Sequence, residues 1–113
     1  MQAAAIPLSL VILRRLVRVD GSVEELPKPV TIEGVSRLID AQTLDVIALH
    51  DALKHVLLVD DNGYAKGLPV NTFATLLYRM QSGGKSIALV LGDCVLCPDE
   101  DFSTPTLEAD FGL

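Results

Sequence analysis

Residues 55–63 read HVLLVDDNG, an apolar run that ends in an Asp-Asn-Gly turn signal. The run His55–Asp60 has the length and the β-branched content of a strand. Asn62 and Gly63 supply the two positive φ angles that a type I′ turn requires. We therefore predict a hairpin in which residues 64–68 return along this strand, and Pro69 ends the returning strand because proline cannot donate to a ladder.

A helix is predicted directly after this hairpin. Asn71 is a good N-cap, and the helix should run to about Gln81 before Ser82-Gly83-Gly84 ends it. Apolar side chains at i, i+3, i+4 and i+7 form one stripe along it: Phe73, Leu76, Leu77 and Met80. Such a stripe is typical of a helix that packs its apolar face on a sheet.

The preceding part of the chain has a similar arrangement. Residues 8–19 and 22–26 read as two strands joined at Asp20-Gly21, a strong hairpin signal. Thr31 can cap a helix that runs to about Ala41. Its apolar face would consist of Ile32, Val35, Leu38 and Ile39. Residues 43–49 are predicted to form the strand that leads towards the central hairpin.

Two further strands are predicted near the end of the chain. Residues 85–91 are apolar on both parities, which favours a central strand covered on both faces, and residues 94–97 follow as a short strand. The predicted order is β-β-α-β-β-β-α-β-β. It defines an α+β fold with a mixed, largely antiparallel sheet built from hairpins and two helices packed on it. We predict one domain over residues 1–98 and an acidic tail over residues 99–113.

Composition excludes several classes of function. The chain has 113 residues, half of them apolar, no Trp and a formal net charge of −6, so nucleic acid is not a predicted partner. Arg14, Arg15 and Arg18 leave a local basic patch as the exception. The apolar start, Met1 to Leu13, lacks a preceding positive region and is too short to cross a membrane. The sequence thus predicts a cytoplasmic protein with no membrane association.

Cys94 and Cys97 have the spacing of a C-x-x-C motif. A zinc or redox site would need both sulfur atoms on one side, whereas an offset of three in a strand puts them on opposite faces. A zinc site also needs about four ligands, and only His50 and His55 are available as partners. We predict two buried structural cysteines, no metal and no cofactor, with a metal or thiol site as the alternative.

Two clusters of titratable residues could in principle have a chemical role: the histidines with their neighbouring aspartates, and a pair of adjacent aspartates. His50 and His55, with Asp45 and Asp51 nearby, have the residue types of acid–base chemistry, but no nucleophile accompanies them in a known pattern. A solvated or capping role is therefore favoured. The adjacent carboxylates Asp60 and Asp61 lack the further ligands of a calcium loop, and turn formation accounts for them.

The start of the second helix is the candidate ligand site. Helix N-termini expose unpaired N–H groups and partial positive charge, so an anion could bind there with Lys66, Asn71 and Thr72 as donors. Ordinary N-capping by Asn71 is the competing interpretation. The glycine pattern fits neither a phosphate loop nor a dinucleotide fingerprint.

Several segments together resemble a known family. They are Leu16 to Gly21, Glu24 to Pro27, Leu57 to Gly63, Lys66 to Asn71 with Ala74-Thr75, and Gly92 to Leu96. This pattern, over roughly residues 12 to 97, resembles the domain-of-unknown-function family numbered thirty-eight forty-six, which occurs in phages, plasmids and their bacterial hosts. The resemblance brings no catalytic residues with it.

The resemblance implies a biological context by association only. Small proteins of mobile elements often bind a host protein or a signalling molecule in stoichiometric amounts. We therefore expect a non-enzymatic accessory protein that binds a host protein, for example as a counter-defence inhibitor. The alternative is a protein that binds or sequesters a small anionic ligand such as a nucleotide. Exposed hairpin edges and Leu/Val-rich strands also make a homodimer conceivable.

Overall fold

The fold is α+β, as predicted: an antiparallel five-stranded sheet with two helices. It was obtained as a computed structural model, and the structure describes residues 12–27, 29–81 and 88–101. The strand order is β2-β1-β5-β4-β3. The elements are β1 (Arg15–Val17), β2 (Val23–Glu25), α1 (Ile32–Ile39), β3 (Leu44–Ala48), β4 (His55–Asp60), α2 (Thr72–Gln81) and β5 (Cys94–Pro98).

The two helices cover opposite faces of the sheet. Alternate residues of β4 belong to different core clusters. Val56 and Leu58 pack with residues of α1, whereas Leu57 and Val59 pack on the α2 side of the sheet. The central strands β4 and β5 are consequently buried at every position. Burial on both faces explains why these two strands are nearly continuous runs of apolar residues.

The first hairpin and the first helix confirm the local signals. Strands β1 and β2 pair antiparallel around Asp20-Gly21, where Gly21 takes a φ of 92°. The hydroxyl of Thr31 accepts the Gly34 N–H at 3.0 Å, and α1 ends at Asp40, which is in the left-handed conformation. Helix α1 is thus two residues shorter than predicted. Strand β1 covers only Arg15–Val17 of the strand predicted over residues 8–19. Residues 12–14 are described and lie outside β1, and residues 8–11 lie outside the described residues.

The predicted hairpin at residues 61–68 is wrong. Strand β4 exists as predicted, but its two edges are already paired with β3 and β5, so a returning strand has no partner there. The chain turns repeatedly over residues 61–67 instead. The Asp60 carboxylate accepts the Asn62 N–H at 2.8 Å, and this side-chain turn replaces the two-residue turn that Asn-Gly favours. Neither Asn62 nor Gly63 has a positive φ.

The predicted central strand at residues 85–91 is wrong for its described part, and residues 85–87 lie outside the described residues. Residues 88–90 form no strand, and Leu91 makes an isolated bridge with Val70. The beginning of α2 takes the hydrogen bonds that a strand would have used: Val90 donates to the Thr75 hydroxyl and accepts from the Asn71 N–H. The central position of the sheet, between β1 and β4, is occupied by β5 and not by residues 85–91.

Helix α2 is confirmed over Thr72–Gln81, but the direction of its apolar stripe differs from the prediction. Ala74 and Thr75 are the buried positions of the helix. Three of the four stripe residues lie on the opposite side of the helix and are at least half exposed: Phe73, Leu76 and Met80. Leu77 packs against the core cluster on this face of the sheet. The buried side of the helix therefore carries small residues, and three of its large apolar residues point away from the sheet.

Candidate functional site

Lys66, the first predicted ligand-binding residue, is engaged within the fold. Its ammonium group donates to the Asp60 carboxylate at 2.5 Å and to the Asp40 carbonyl at 2.9 Å. Asp40 ends α1 and Asp60 ends β4, so Lys66 joins these two elements to the turns that follow β4. The Lys66 hydrogen bond lowers the pKa of Asp60 against the opposing effect of burial. Asp60 therefore stabilises the fold as a carboxylate.

Asn71, the second predicted residue, is fully buried. Its side-chain NH₂ donates to the Val17 and Gly92 carbonyls, each at 3.0 Å, and its Oδ1 accepts the Ala74 N–H at 3.1 Å. The N-cap prediction is confirmed. Thr72 is exposed beside it. Because both side-chain N–H groups and the backbone N–H of Asn71 donate to carbonyls of the protein, Asn71 has no donor available for an anion.

The structure does not bring the three predicted residues to one cavity. Lys66 lines a cavity with Asp40, Gln42, Asn62 and Ala65, and neither Asn71 nor Thr72 lines it. Anion binding by the three residues stays a prediction without geometric support.

Cys94 and Cys97 are buried free cysteines on opposite faces of β5, as predicted. Cys94 packs on the α2 side and Cys97 on the α1 side. Burial raises the pKa of each thiol to about 12. Two thiols on opposite faces of one strand cannot bind the same metal ion. Within the described residues, no group of three or more His, Cys, Asp and Glu side chains is placed to hold a metal.

His55 and Asp51 form a buried pair at the start of β4. The Asp51 Oδ2 lies 2.6 Å from His55 Nδ1, and its Oδ1 accepts the His55 backbone N–H at 2.6 Å. Burial opposes ionisation of Asp51, but the hydrogen bonds from His55 outweigh it and lower the pKa of Asp51. His55 Nε2 accepts the Leu13 backbone N–H at 2.9 Å.

These contacts assign the pair a structural role. An imidazole whose Nε2 accepts from a backbone amide carries its proton on Nδ1, the nitrogen that faces Asp51. An aspartate–histidine pair used in catalysis needs that second nitrogen free to exchange a proton with the substrate. Here Nε2 of His55 instead accepts a hydrogen bond from Leu13, which connects the residues before β1 to the start of β4.

A cavity of about 470 Å³ adjoins this pair. Its floor includes Val46, Ala48 and Val56 on one face of β3 and β4. His50 and Lys54, two non-glycine residues with φ of 60° and 56°, stand at its rim. Residues in this strained conformation are concentrated at functional sites, so the cavity is a candidate for a small ligand.

A second region lies on the α2 side of the sheet. Two adjoining cavities of about 310 and 550 Å³ share Tyr64, Leu89 and Leu91. Tyr64 is 90% exposed and Leu89 is 55% exposed. We call the surface formed by Tyr64, Leu68, Leu89 and Leu91 the tyrosine groove. Asp45 and Asp61 line its end nearest to β3.

Of the two helices α1 and α2, α2 has the more exposed apolar side chains, on the side that points away from the sheet. Phe73 is 51%, Leu76 is 50% and Met80 is 73% exposed, and we call these three residues the α2 stripe. They recur at spacings of three and four, which is the spacing of a helix–helix contact. Sequence periodicity detected the stripe but assigned it to the interior of the protein.

The basic patch considered from the sequence is neutralised by ion pairs. Arg14 makes two 2.8 Å hydrogen bonds to the carboxylate of Asp101. Arg18 pairs with Glu24 at 2.6 Å and Arg15 with Glu25 at 3.7 Å. The three guanidinium groups therefore do not form an unpaired cationic surface.

Searches against models of protein families, curated proteins and solved structures found no match to this chain. The resemblance to the domain-of-unknown-function family numbered thirty-eight forty-six accordingly stays a prediction. No helix among the described residues is long and apolar enough to cross a membrane.

Proposed function

We propose that this protein is a non-enzymatic accessory protein of a phage or mobile element that binds a host protein in stoichiometric amounts. One observation carries the proposal: the α2 stripe presents three large apolar side chains to solvent. Scattered exposed apolar residues need no explanation, but a row at helical spacing marks an interaction surface.

The energy available from such a contact is substantial. Complete burial of a Leu, Phe or Met side chain contributes about 1.5–3 kcal/mol. Since the stripe residues are half to three-quarters exposed, covering all three would contribute about 3–5 kcal/mol by the same measure. Binding energy in protein contacts is concentrated in a few side chains that become fully desolvated near the centre of the interface. The stripe can therefore supply the apolar centre of a protein interface, and contacts around it must supply the rest of the binding energy.

The family resemblance supports the biological part of this proposal. A stoichiometric binder encoded by a mobile element can inhibit a host enzyme or a host defence protein by covering its surface, and needs no active site. The structural role of the Asp51–His55 pair agrees with such a mode of action. Counter-defence is the form of inhibition that this context favours.

The test uses variants of the stripe in host lysate. Tagged wild-type protein and the Leu76→Glu/Met80→Glu variant are used to capture host proteins, which are quantified by mass spectrometry against the bait. We expect one host protein at near-equal molar amount with the wild type and at least a tenfold lower amount with the variant.

The matched control is Val23→Glu/Ile32→Glu, which places two carboxylates on apolar side chains of similar exposure elsewhere. Circular dichroism confirms that both variants fold. Equal capture by the stripe variant and the wild type, or the same loss with the control, would count against the proposal.

Small-ligand binding is the second candidate function, and the 470 Å³ cavity with its two strained rim residues favours it. Purified protein should then release a compound on denaturation, seen as ultraviolet absorbance in the filtrate. The absence of Trp makes such absorbance easy to detect. Loss of the compound from Lys54→Ala, but not from Lys66→Ala, would place it in this cavity, whereas a filtrate without any compound would oppose this candidate.

A further inference from the structure

We infer that the tyrosine groove binds a basic, partly apolar peptide segment of a partner protein. The inference rests on the proposed function in that it takes the partner to be a protein. It concerns a different surface, because the groove lies beside the turns after β4 and the residues before β5, whereas the α2 stripe lies on the outer side of the helix.

The floor of the groove requires an apolar occupant. Tyr64 and Leu89 are largely exposed, and Leu68 and Leu91 are partly exposed next to them. The two cavities that share Tyr64, Leu89 and Leu91 make the surface concave. A peptide side chain such as Leu or Met could enter the concave surface and cover these four residues.

The rim of the groove determines the charge of the occupant. Three aspartates line the cavity nearest to β3: Asp45, Asp60 and Asp61. The Lys66 ammonium compensates Asp60, whereas Asp45 and Asp61 have no ion-pair partner among the described residues. Two carboxylates that lack an ion-pair partner within the described part of the chain, beside an apolar floor, complement a Lys or Arg that flanks an apolar side chain. An acidic segment would be repelled there, and the chain's net charge of −6 adds to that repulsion.

The binding test uses two synthetic fluorescein-labelled peptides. They share the same Leu positions, and the remaining positions are Lys and Arg in one peptide and Glu in the other. Fluorescence anisotropy measures their binding to the full chain. We expect the Lys/Arg peptide to bind at least tenfold more tightly than the Glu peptide, and its affinity to fall as salt is raised, because salt screens exposed charges.

The variants separate the groove from nonspecific attraction. Asp45→Asn/Asp61→Asn should weaken binding of the Lys/Arg peptide about fivefold, the scale of two exposed ion pairs. Leu89→Ser should weaken it through loss of the apolar floor. The matched control Glu25→Gln/Glu33→Gln removes the same charge elsewhere and should stay within about twofold of the wild type. Equal binding of the two peptides, or equal loss in both charge variants, would overturn the inference.

The same peptides distinguish this inference from the proposed function. Leu76→Glu/Met80→Glu should leave peptide binding intact while it abolishes capture of the host protein. Stripe-dependent capture combined with no peptide binding would refute the groove alone. Sedimentation velocity adds one more outcome: a wild-type dimer that Leu89→Ser dissociates would show that a second copy of this chain occupies the groove, and would also refute the inference.

Discussion

At the scale of single residues, Asn71 shows how a residue chosen as a ligand donor can belong to the framework. Its one side chain satisfies a carbonyl at the end of β1, a carbonyl before β5 and an amide in the first turn of α2. Sequence revealed its capping role because an N-cap is a local feature. The two carbonyls come from residues 54 positions before it and 21 after it, and no local pattern contains that information.

We predict that Asn71→Ala lowers the free energy of unfolding by at least about 3 kcal/mol. Loss of an N-cap costs about 1 kcal/mol, and each buried carbonyl left without a donor costs about 1–3 kcal/mol. Urea denaturation followed by circular dichroism measures the change. Thr72→Ala, at an exposed neighbour, should stay within about 0.5 kcal/mol of the wild type. A loss below 1 kcal/mol for Asn71→Ala would contradict the structural role.

The two cysteines carry a second prediction at this scale. A thiol reacts as its thiolate, and a pKa of about 12 leaves about one part in 10⁴ of each thiol ionised at pH 8. Both Cys94 and Cys97 should therefore resist iodoacetamide in the folded protein and react readily in urea. Mass spectrometry of the alkylated protein counts the modified thiols. Rapid labelling without denaturant would mean that β5 is not buried on both faces.

At the scale of elements, the helix caps and the Asp20-Gly21 turn were predictable, whereas the turn at Asn62-Gly63 and the strand partners were not. Thr31 and Asn71 begin helices at the expected residues because each capping bond spans three residues. The hairpin after β4 failed because β3 and β5 occupy both edges of that strand, which is a property of the whole sheet. The apolar stripe of α2 was recognised by its spacing, but spacing does not determine which side of a helix faces the sheet. Periodicity therefore detected an apolar face of α2 and at the same time placed it on the wrong side of the helix.

The edge strand β3 leads to a prediction at this scale. The backbone N–H of Asp61 donates to the Thr43 carbonyl, and that of Leu49 donates to the His55 carbonyl. The backbone N–H and C=O groups of the odd-numbered residues of β3 therefore point towards β4. The amide of Val46 therefore points to the open edge, where the Asp45 carboxylate accepts it at 2.9 Å. A capped amide and a charge discourage pairing with another chain.

Asp45→Ala removes both the cap and the charge, and we expect it to increase self-association measured by sedimentation velocity. Asp45→Asn keeps an acceptor for the Val46 amide and is the matched control, with association between that of the wild type and that of the alanine variant. If the alanine variant associates no more than the wild type, Asp45 does not protect the edge.

At the scale of the whole molecule, buried carboxylates join distant parts of the chain. Asp101, beyond the last strand, accepts from Arg14 and from the Val30 amide, so the first residues of the predicted acidic tail contact the domain. Asp51 links the loop before β4 to His55, and Asp60 links β4 to Lys66. From the sequence, Asp60 was predicted to be a turn residue and Asp101 a tail residue, and Asp51 was considered only as a carboxylate near His50 and His55. The partners of Asp60 and Asp101 could not be read from local patterns because they lie on other elements. Stability should therefore depend on their charge.

We predict that the free energy of unfolding falls in acid, below about pH 4. The Lys66 hydrogen bond lowers the pKa of Asp60 from 3.8, and the hydrogen bonds with His55 outweigh burial to lower the pKa of Asp51 from the same value. A carboxyl group with a lower pKa in the folded state stabilises the protein above its unfolded-state pKa. That contribution is lost as the pH falls through the folded-state pKa.

Urea denaturation at a series of pH values between neutral and strongly acidic conditions measures this dependence. Asp60→Asn should be less stable than the wild type near neutrality and lose less of its remaining stability in acid, because one of the titrating groups is gone. Asp61→Asn, an exposed neighbour with no ion-pair partner among the described residues, is the matched control and should keep the wild-type slope. An identical acid dependence for Asp60→Asn and the wild type would show that the Asp60–Lys66 pair does not hold β4 to the turns that follow it.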